Sequence, residues 1–225
     1  MTELTHATCA DVEAAVTSGD SNASVMHTDP LVFTIDEFIS QDDCDLIIAT
    51  AQDQMRRAVV AGAAGGVESA GRTNSVAWLP HSTSPRFQEI VERVAATLGV
   101  PATHAENFQV IHYLPGAEYR THYDAFDITT ERGQRTMKKG GQRITTTLCY
   151  LNQVEAGGAT GFKKLELQVT PAPGRLLAFN NCEGNDMHRS ELSLHAGLPV
   201  EAGEKWAFNL WFREYPTSHN PVGDV

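Results

Sequence analysis

Cysteine is scarce in this chain of 225 residues. Cys9, Cys44, Cys149 and Cys182 form no C-x-x-C pair, which excludes a zinc knuckle and a disulfide framework. Positive charge is also short. Seventeen Lys and Arg stand against 28 Asp and Glu, a net charge of −11. That balance argues against nucleic-acid binding through a general basic face and against attraction to an anionic membrane. One local exception is the stretch RGQRTMKKGGQR at 132–143. No apolar run reaches the roughly 18 residues of a membrane span. The opening MTELTHATCADVEAAV has no basic region ahead of an apolar run, so no secretory signal is expected. These absences point to a soluble, cytoplasmic protein in a reducing compartment. What is present is a hydrophobic fraction of 41%, enough to fill one core.

Residues 1–29 carry weak patterning and are expected to form an N-terminal extension, with a short helix over ADVEAAV and a turn-like TSGDSNAS. Residues 30–225 are expected to form one domain. LVFTIDEF (31–38) predicts a strand, and Ser40 caps a helix through QDDCDLIIATAQDQM, with Leu46, Ile47, Ala51 and Met55 as its buried stripe. The Gly- and Ala-rich segment 56–75 predicts a loop or hairpin suited to a lid. SPRFQEIVERVAATLGVP (84–101) predicts the clearest helix. Ser84 caps it, Pro85 takes its first position, Gly99 ends it, and Phe87, Ile90, Val91, Val94 and Leu98 share a face. From about 104 to 215 the pattern turns to short strands punctuated by Pro115-Gly116, Gly157-Gly158 and Pro173-Gly174. The fold expected is α+β but mainly β, with N-terminal helices supporting a sandwich or jelly roll.

Within YRTHYDAFD (119–127), His122 and Asp124 are two apart and share one face of a strand. That suits chelation as well as it suits a solvated face. Two His and one carboxylate on one face of an octahedron leave three positions open, as in non-haem Fe(II) oxygenases. A third ligand has candidates in His188, His195 and His219. Lys205 tilts the choice towards His195. It follows by ten residues, past the turn signal EAGE, where a hairpin-like return would bring it back to the ligand strand. A buried Lys needs an anionic partner, and a dicarboxylate chelating the metal with its other end would supply one.

The chain resembles the prolyl 4-hydroxylase family of Fe(II)- and 2-oxoglutarate-dependent dioxygenases over roughly residues 72–214. RTNSVAWL, ENFQVIHYLPGAEYRTHYD, GGQRITTTLCYLN, GGATGF, TPAPGRLLAFNN and SLHAGLPVEAGEKWAFNLWFRE occur in the family's order. The resemblance implies a double-stranded β-helix with Fe(II) on His122, Asp124 and His195. It implies 2-oxoglutarate with its distal carboxylate on Lys205, Tyr113 and Thr160. Tyr119, Arg143, Trp211 and Arg213 match positions on the substrate side. The implied reaction is hydroxylation of proline in a peptide or protein, consuming O2 and converting 2-oxoglutarate to succinate and CO2, with ascorbate as reductant. No nucleic acid or membrane partner is implied, and the assembly is a monomer or homodimer.

Two positions depart from the family pattern. Arg213 stands where collagen-type members carry His, and Ala159 of GGAT stands where Glu is usual. Tyr119 lies three residues before His122, so a regular strand would turn it away from the ligands, and a bulge is required. Arg143 has the alternative of pairing with a surface carboxylate. Two rival functions remain: a hydroxylase of a free amino acid or other small molecule on the same fold, and a non-catalytic jelly-roll binding module.

Overall fold

A computed structural model describes residues 6–18, 22–58, 60–61, 66–67 and 71–217. The chain runs α1 (Cys9–Thr17), β1 (Ser24–Thr28), β2 (Leu31–Ile35), α2 (Gln41–Ala51), β3 (Arg56–Arg57), β4 (Val60–Ala61), β5 (Gly66–Val67), β6 (Ser75–Leu79), α3 (Pro85–Leu98), β7 (Phe108–Tyr113) and β8 (Tyr119–His122). It continues through α4 (Glu131–Met137), β9 (Arg143–Tyr150), β10 (Ala156–Gly157), β11 (Thr160–Phe162), β12 (Leu167–Val169), β13 (Leu176–Asn180), β14 (His195–Gly197), β15 (Val200–Ala202) and β16 (Lys205–Arg213).

Two antiparallel sheets carry the site. The major sheet has eight strands in the order β1-β2-β13-β9-β16-β7-β6-β3, and the minor one has four, β12-β11-β14-β8. Alternation along β16 shows why they stack. Trp206, Phe208, Leu210 and Phe212 enter a core shared with the helices, whereas Ala207 enters a second core with Phe162 and Val169 of the minor sheet. Each face of the major sheet is thereby buried, one by helices and one by the smaller sheet.

The helical layer follows its capping signals. Ser40 and Asp43 close a capping box at the start of α2, and the Ser84 hydroxyl accepts from the Phe87 N–H at the start of α3. Phe87, Ile90, Val91, Val94 and Leu98 are all buried as predicted, each stabilising the fold by roughly 1.5–3 kcal/mol. On α2, Ile47 and Ala51 are buried, but Leu46 is exposed and Met55 lies beyond the helix end. Gly99 ends α3 at φ +66°, and an added Cβ would meet Ala15 of α1 at 2.7 Å.

That contact belongs to a larger revision. Residues expected to be an extension are part of the domain. Val12 and Val16 of α1 are buried in the helical core, and Asn180 of β13 donates to the Cys9 carbonyl at 3.2 Å. β1 then adds the outermost strand beside β2. In segment 56–75, β4 and β5 pair antiparallel, and residues 59, 62–65 and 68–70 of the expected lid lie outside those described. No helix among the described residues is long and apolar enough to cross a membrane.

Candidate active site

His122 ends β8 and His195 begins β14, and the two strands pair with these residues directly opposite. Asp124 follows just beyond β8. The three side chains offer ligand atoms that all lie within 4.8 Å of one another. Nε2 of His122 is 3.6 Å from Asp124 Oδ1, and Nε2 of His195 is 3.6 Å from Oδ2. Each imidazole is oriented from behind: His122 Nδ1 lies 2.8 Å from the Arg120 carbonyl, and His195 Nδ1 lies 2.9 Å from the Ser193 carbonyl. A carbonyl only accepts, so Nδ1 carries the proton and each Nε2 presents a lone pair to the centre.

Asp124 is fixed as firmly. Its Oδ2 accepts from Thr146 Oγ1 at 2.8 Å and from the Trp211 indole N–H at 2.9 Å. Burial opposes its ionisation, but His195, His122 and Arg143 outweigh that and hold the carboxyl below the ordinary carboxylate range. Burial, and then His195, push His122 down to about 3. Imidazole and carboxylate side chains ligate a metal in their deprotonated forms. The donor set fits Fe(II) in a facial arrangement. Of the other candidates, His188 is exposed and bonded to Asp186, and His219 lies outside the described residues.

Lys205 arrives from a direction the sequence does not suggest. A hairpin-like return next to the ligand strand is not formed: β16 pairs with β7 and β9, while β14 pairs with β11 and β8. Lys205 therefore comes from the opposing sheet. It is 1% exposed, and its Nζ donates to the Gly158 carbonyl at 2.7 Å. The ring centres of Tyr113 and Tyr150 are each 5.2 Å away. Burial alone pulls the Lys205 pKa down to about 7. No carboxylate pairs with it among the described residues, so an incoming anion meets a desolvated ammonium. Tyr113 pairs with Lys205 across the sheet, and its hydroxyl packs on Gly197, where an added Cβ would sit 3.1 Å from it. Thr160 is buried opposite Gly197 and accepts from the Tyr150 phenol at 2.7 Å. Burial raises the Tyr113 and Tyr150 hydroxyls above the ordinary phenol range, so both remain hydrogen-bond donors.

The residues matched to the substrate side by resemblance are positioned by two bulges. Between β14 and β8 the register shifts, so that Gly197 meets Tyr119 while His195 meets His122. This is the required bulge, and it stacks Tyr119 on His122 with ring centres 3.6 Å apart and planes 19° from parallel. A second shift, between Phe212 and Arg213 on β16, leaves Ile144 as the extra residue of β9. Arg143 and Thr146, three apart, then both reach the site. Arg143 lies 3.7 Å over Trp211 and binds both oxygens of Glu106 at 2.7 Å. Arg213 also binds Glu106, at 3.0 Å. Burial opposes the Glu106 charge, but the two guanidiniums hold its pKa below the usual range. The carboxylate partner of Arg143 is thus a buried one. Glu106, Thr146 and Tyr150 were not read from the sequence. Of these, only the threonine run 145–147 inside a strand carried a signal.

Comparison with known proteins agrees with this geometry. The model of the 2OG-Fe(II) oxygenase superfamily matches residues 108–213, the span that holds the triad and Lys205. Fold and site together define the class: an Fe(II)- and 2-oxoglutarate-dependent dioxygenase, using O2. Probable prolyl 4-hydroxylase 3 of Arabidopsis thaliana is 32% identical over 214 residues, covering 86% of this chain and 72% of that protein. Prolyl 4-hydroxylase subunit alpha-3 of Homo sapiens is 33% identical over 193 residues, 85% of this chain but 35% of that subunit. A viral collagen prolyl hydroxylase from Paramecium bursaria Chlorella virus-1, solved with 2OG, superposes with a TM-score of 0.64 at 26% identity, covering 81% of this chain and 95% of that one. The chain belongs to the prolyl 4-hydroxylase family.

Proposed function

We propose that the protein hydroxylates proline within a peptide or protein, on a jelly-roll scaffold formed by the two facing sheets. The single observation that carries this is the convergence of His122, Asp124 and His195 from the minor-sheet side with Lys205 from the major sheet. In this reading the triad holds Fe(II), and Lys205, Tyr113 and Thr160 take the distal carboxylate of 2-oxoglutarate. Bound Fe(II) supplies O2 activation coupled to the oxidation of 2-oxoglutarate to succinate and CO2.

The chain's own groups do the rest. The Arg120 and Ser193 carbonyls keep both imidazoles in the ligating tautomer. Thr146 and Trp211 occupy one oxygen of Asp124 and leave Oδ1 for the metal. Lys205 exchanges a neutral carbonyl acceptor for a carboxylate, so that donor and acceptor carry opposite charges. Tyr119 and Trp211, with Arg143 stacked on the latter, flank the reacting carbon and limit water there. Arg213 supports this wall through Glu106. The reading includes a cytoplasmic location and a monomer or homodimer, with ascorbate as reductant.

The test is mass spectrometry after incubation with Fe(II), 2-oxoglutarate and O2, using proline-containing peptides beside free proline. One added oxygen on the peptide is the expected result. Oxidation of free proline alone would overturn the peptidyl reading in favour of a small-molecule hydroxylase. No spectral change on anaerobic addition of Fe(II) and 2-oxoglutarate to folded protein would favour a binding module instead.

A further inference from the structure

Segment 125–142 carries a local excess of positive charge in an acidic chain. Across α4 and the two residues after it, Arg132, Arg135, Lys138 and Lys139 are exposed, and the sequence 131–139 holds one acid, Glu131. The chain as a whole carries 28 acidic and 17 basic residues. A solvated basic face has no function by itself; its placement gives this one meaning. The segment begins directly after Asp124 and ends directly before Arg143, so both its ends are residues of the site.

Its base is closed by one amide. Gln142 accepts from the Phe126 N–H at 2.7 Å and donates to the Phe126 carbonyl at 3.0 Å and to the Met187 carbonyl at 3.1 Å. Arg213 fastens the helix itself, donating to the Thr136 carbonyl at 3.2 Å while holding Glu106. Phe126 lies beneath both guanidiniums, 5.2 Å from that of Arg143 and 4.7 Å from that of Arg213. The positive charge therefore continues inward: two arginines share one carboxylate beside Trp211. The exposed cations are held in a fixed place at the substrate side of the site.

We infer that the exposed Arg132, Arg135 and Lys138, on α4 and at its C-terminal end, form a docking surface for acidic residues flanking the target proline, so that the enzyme prefers acidic peptides. This rests on the peptidyl reading above and names its substrate class. A peptide is favoured over a nucleic acid because the rest of the surface is acidic. In addition, residues 131–139 contain no aromatic on which bases could stack. Charges at an interface rim act mainly on encounter and are screened by salt.

The experiment uses the full chain with Fe(II) and 2-oxoglutarate, and three peptides of equal length with one central proline flanked by acidic, neutral or basic residues. KM and kcat come from mass spectrometry, and binding comes from fluorescence anisotropy of the labelled peptides at low and high salt. The acidic peptide is expected to show a KM about fivefold or more below the neutral one at low salt, with similar kcat, and the gap should close as salt rises. In the double variant Arg135→Glu/Lys138→Glu the preference should vanish or invert. The neutral peptide and the KM for 2-oxoglutarate should be unmoved, which also shows that the variant is folded. Equal KM for acidic and neutral peptides overturns the inference, as does a preference that survives charge reversal. Binding of a labelled single-stranded oligonucleotide that the charge-reversed variant loses, with no binding of the acidic peptide, overturns it in favour of nucleic acid. Hydroxylation of none of the three peptides, with free proline oxidised, overturns the peptidyl reading itself.

Discussion

The two halves of the site are built differently. The half proposed to take metal and cosubstrate is made mostly of strand residues in register, with Asp124 just beyond β8: His122 opposite His195, Lys205 opposite Tyr113, Thr160 opposite Gly197. Its polar groups are spaced by the ladders themselves. The substrate half is made of irregularities: two bulges, the segment 125–142, and Glu106 just ahead of β7 with two arginines on it. Regular pairing suits chemistry that needs fixed distances between ligands. Bulges and an inserted segment suit a wall that can be reshaped without disturbing them.

Removing a ligand should break the first half outright. His122→Ala or Asp124→Ala leaves the triad incomplete, and succinate formation is expected to fall below detection; near-normal succinate from either variant would remove it from the ligand set. Chelating the metal from the unaltered protein should have the same effect, reversed by Fe(II). Lys205→Ala comes next. It deletes the cation that meets the distal carboxylate, and the KM for 2-oxoglutarate should rise on the order of a hundredfold, in line with truncating a buried charge partner. Steady-state kinetics with 2-oxoglutarate varied would show this, and an unchanged KM would move the cosubstrate elsewhere.

Trp211→Phe tests the boundary between the halves. It keeps a ring beneath Arg143 but deletes the N–H that Asp124 accepts, so a loss of about tenfold in Fe(II) affinity is expected. Metal titration followed by the absorbance of the 2-oxoglutarate complex reads it directly. The pH effect is of similar size one pH unit above the Lys205 value. With the empty-pocket Lys205 near 7, the ammonium is present below that pH, and above it binding must take up a proton. The apparent affinity for 2-oxoglutarate should therefore hold below pH 7 and weaken above it by up to about tenfold per pH unit. A Lys205→Arg variant, charged throughout, should lose this slope. A KM that is flat from pH 6.5 to pH 8.5 in the unaltered protein would show that Lys205 is already charged.

The same contrast explains what could be read from the sequence. Helix α3 was legible to its ends because Ser84, Pro85 and Gly99 are local signals and its apolar residues repeat at the helical period. His122, Asp124 and His195 were legible because strand alternation and family motifs converge on them. The route of Lys205 was not, because a ten-residue separation looks the same for a hairpin and for a crossing between sheets. The bulge at Tyr119 could be inferred only as something the family match required. The bulge at Ile144 left no trace, since nothing in QRITTTLCY marks an extra residue. Glu106 was silent for a related reason: an isolated acid declares a partner only when two arginines, 37 and 107 positions away, fold onto it.

The packing of α1 has a practical consequence for anyone trimming the protein. A fragment begun at residue 30, where composition suggests the domain starts, would keep every candidate ligand and lose the Val12 and Val16 side chains that cover the helical core. It would also free β2 as a bare sheet edge, a template for pairing between copies. Such a fragment is expected to bind iron in dilute solution and to aggregate when concentrated, so a failed assay on it would report on its edge and not on its chemistry.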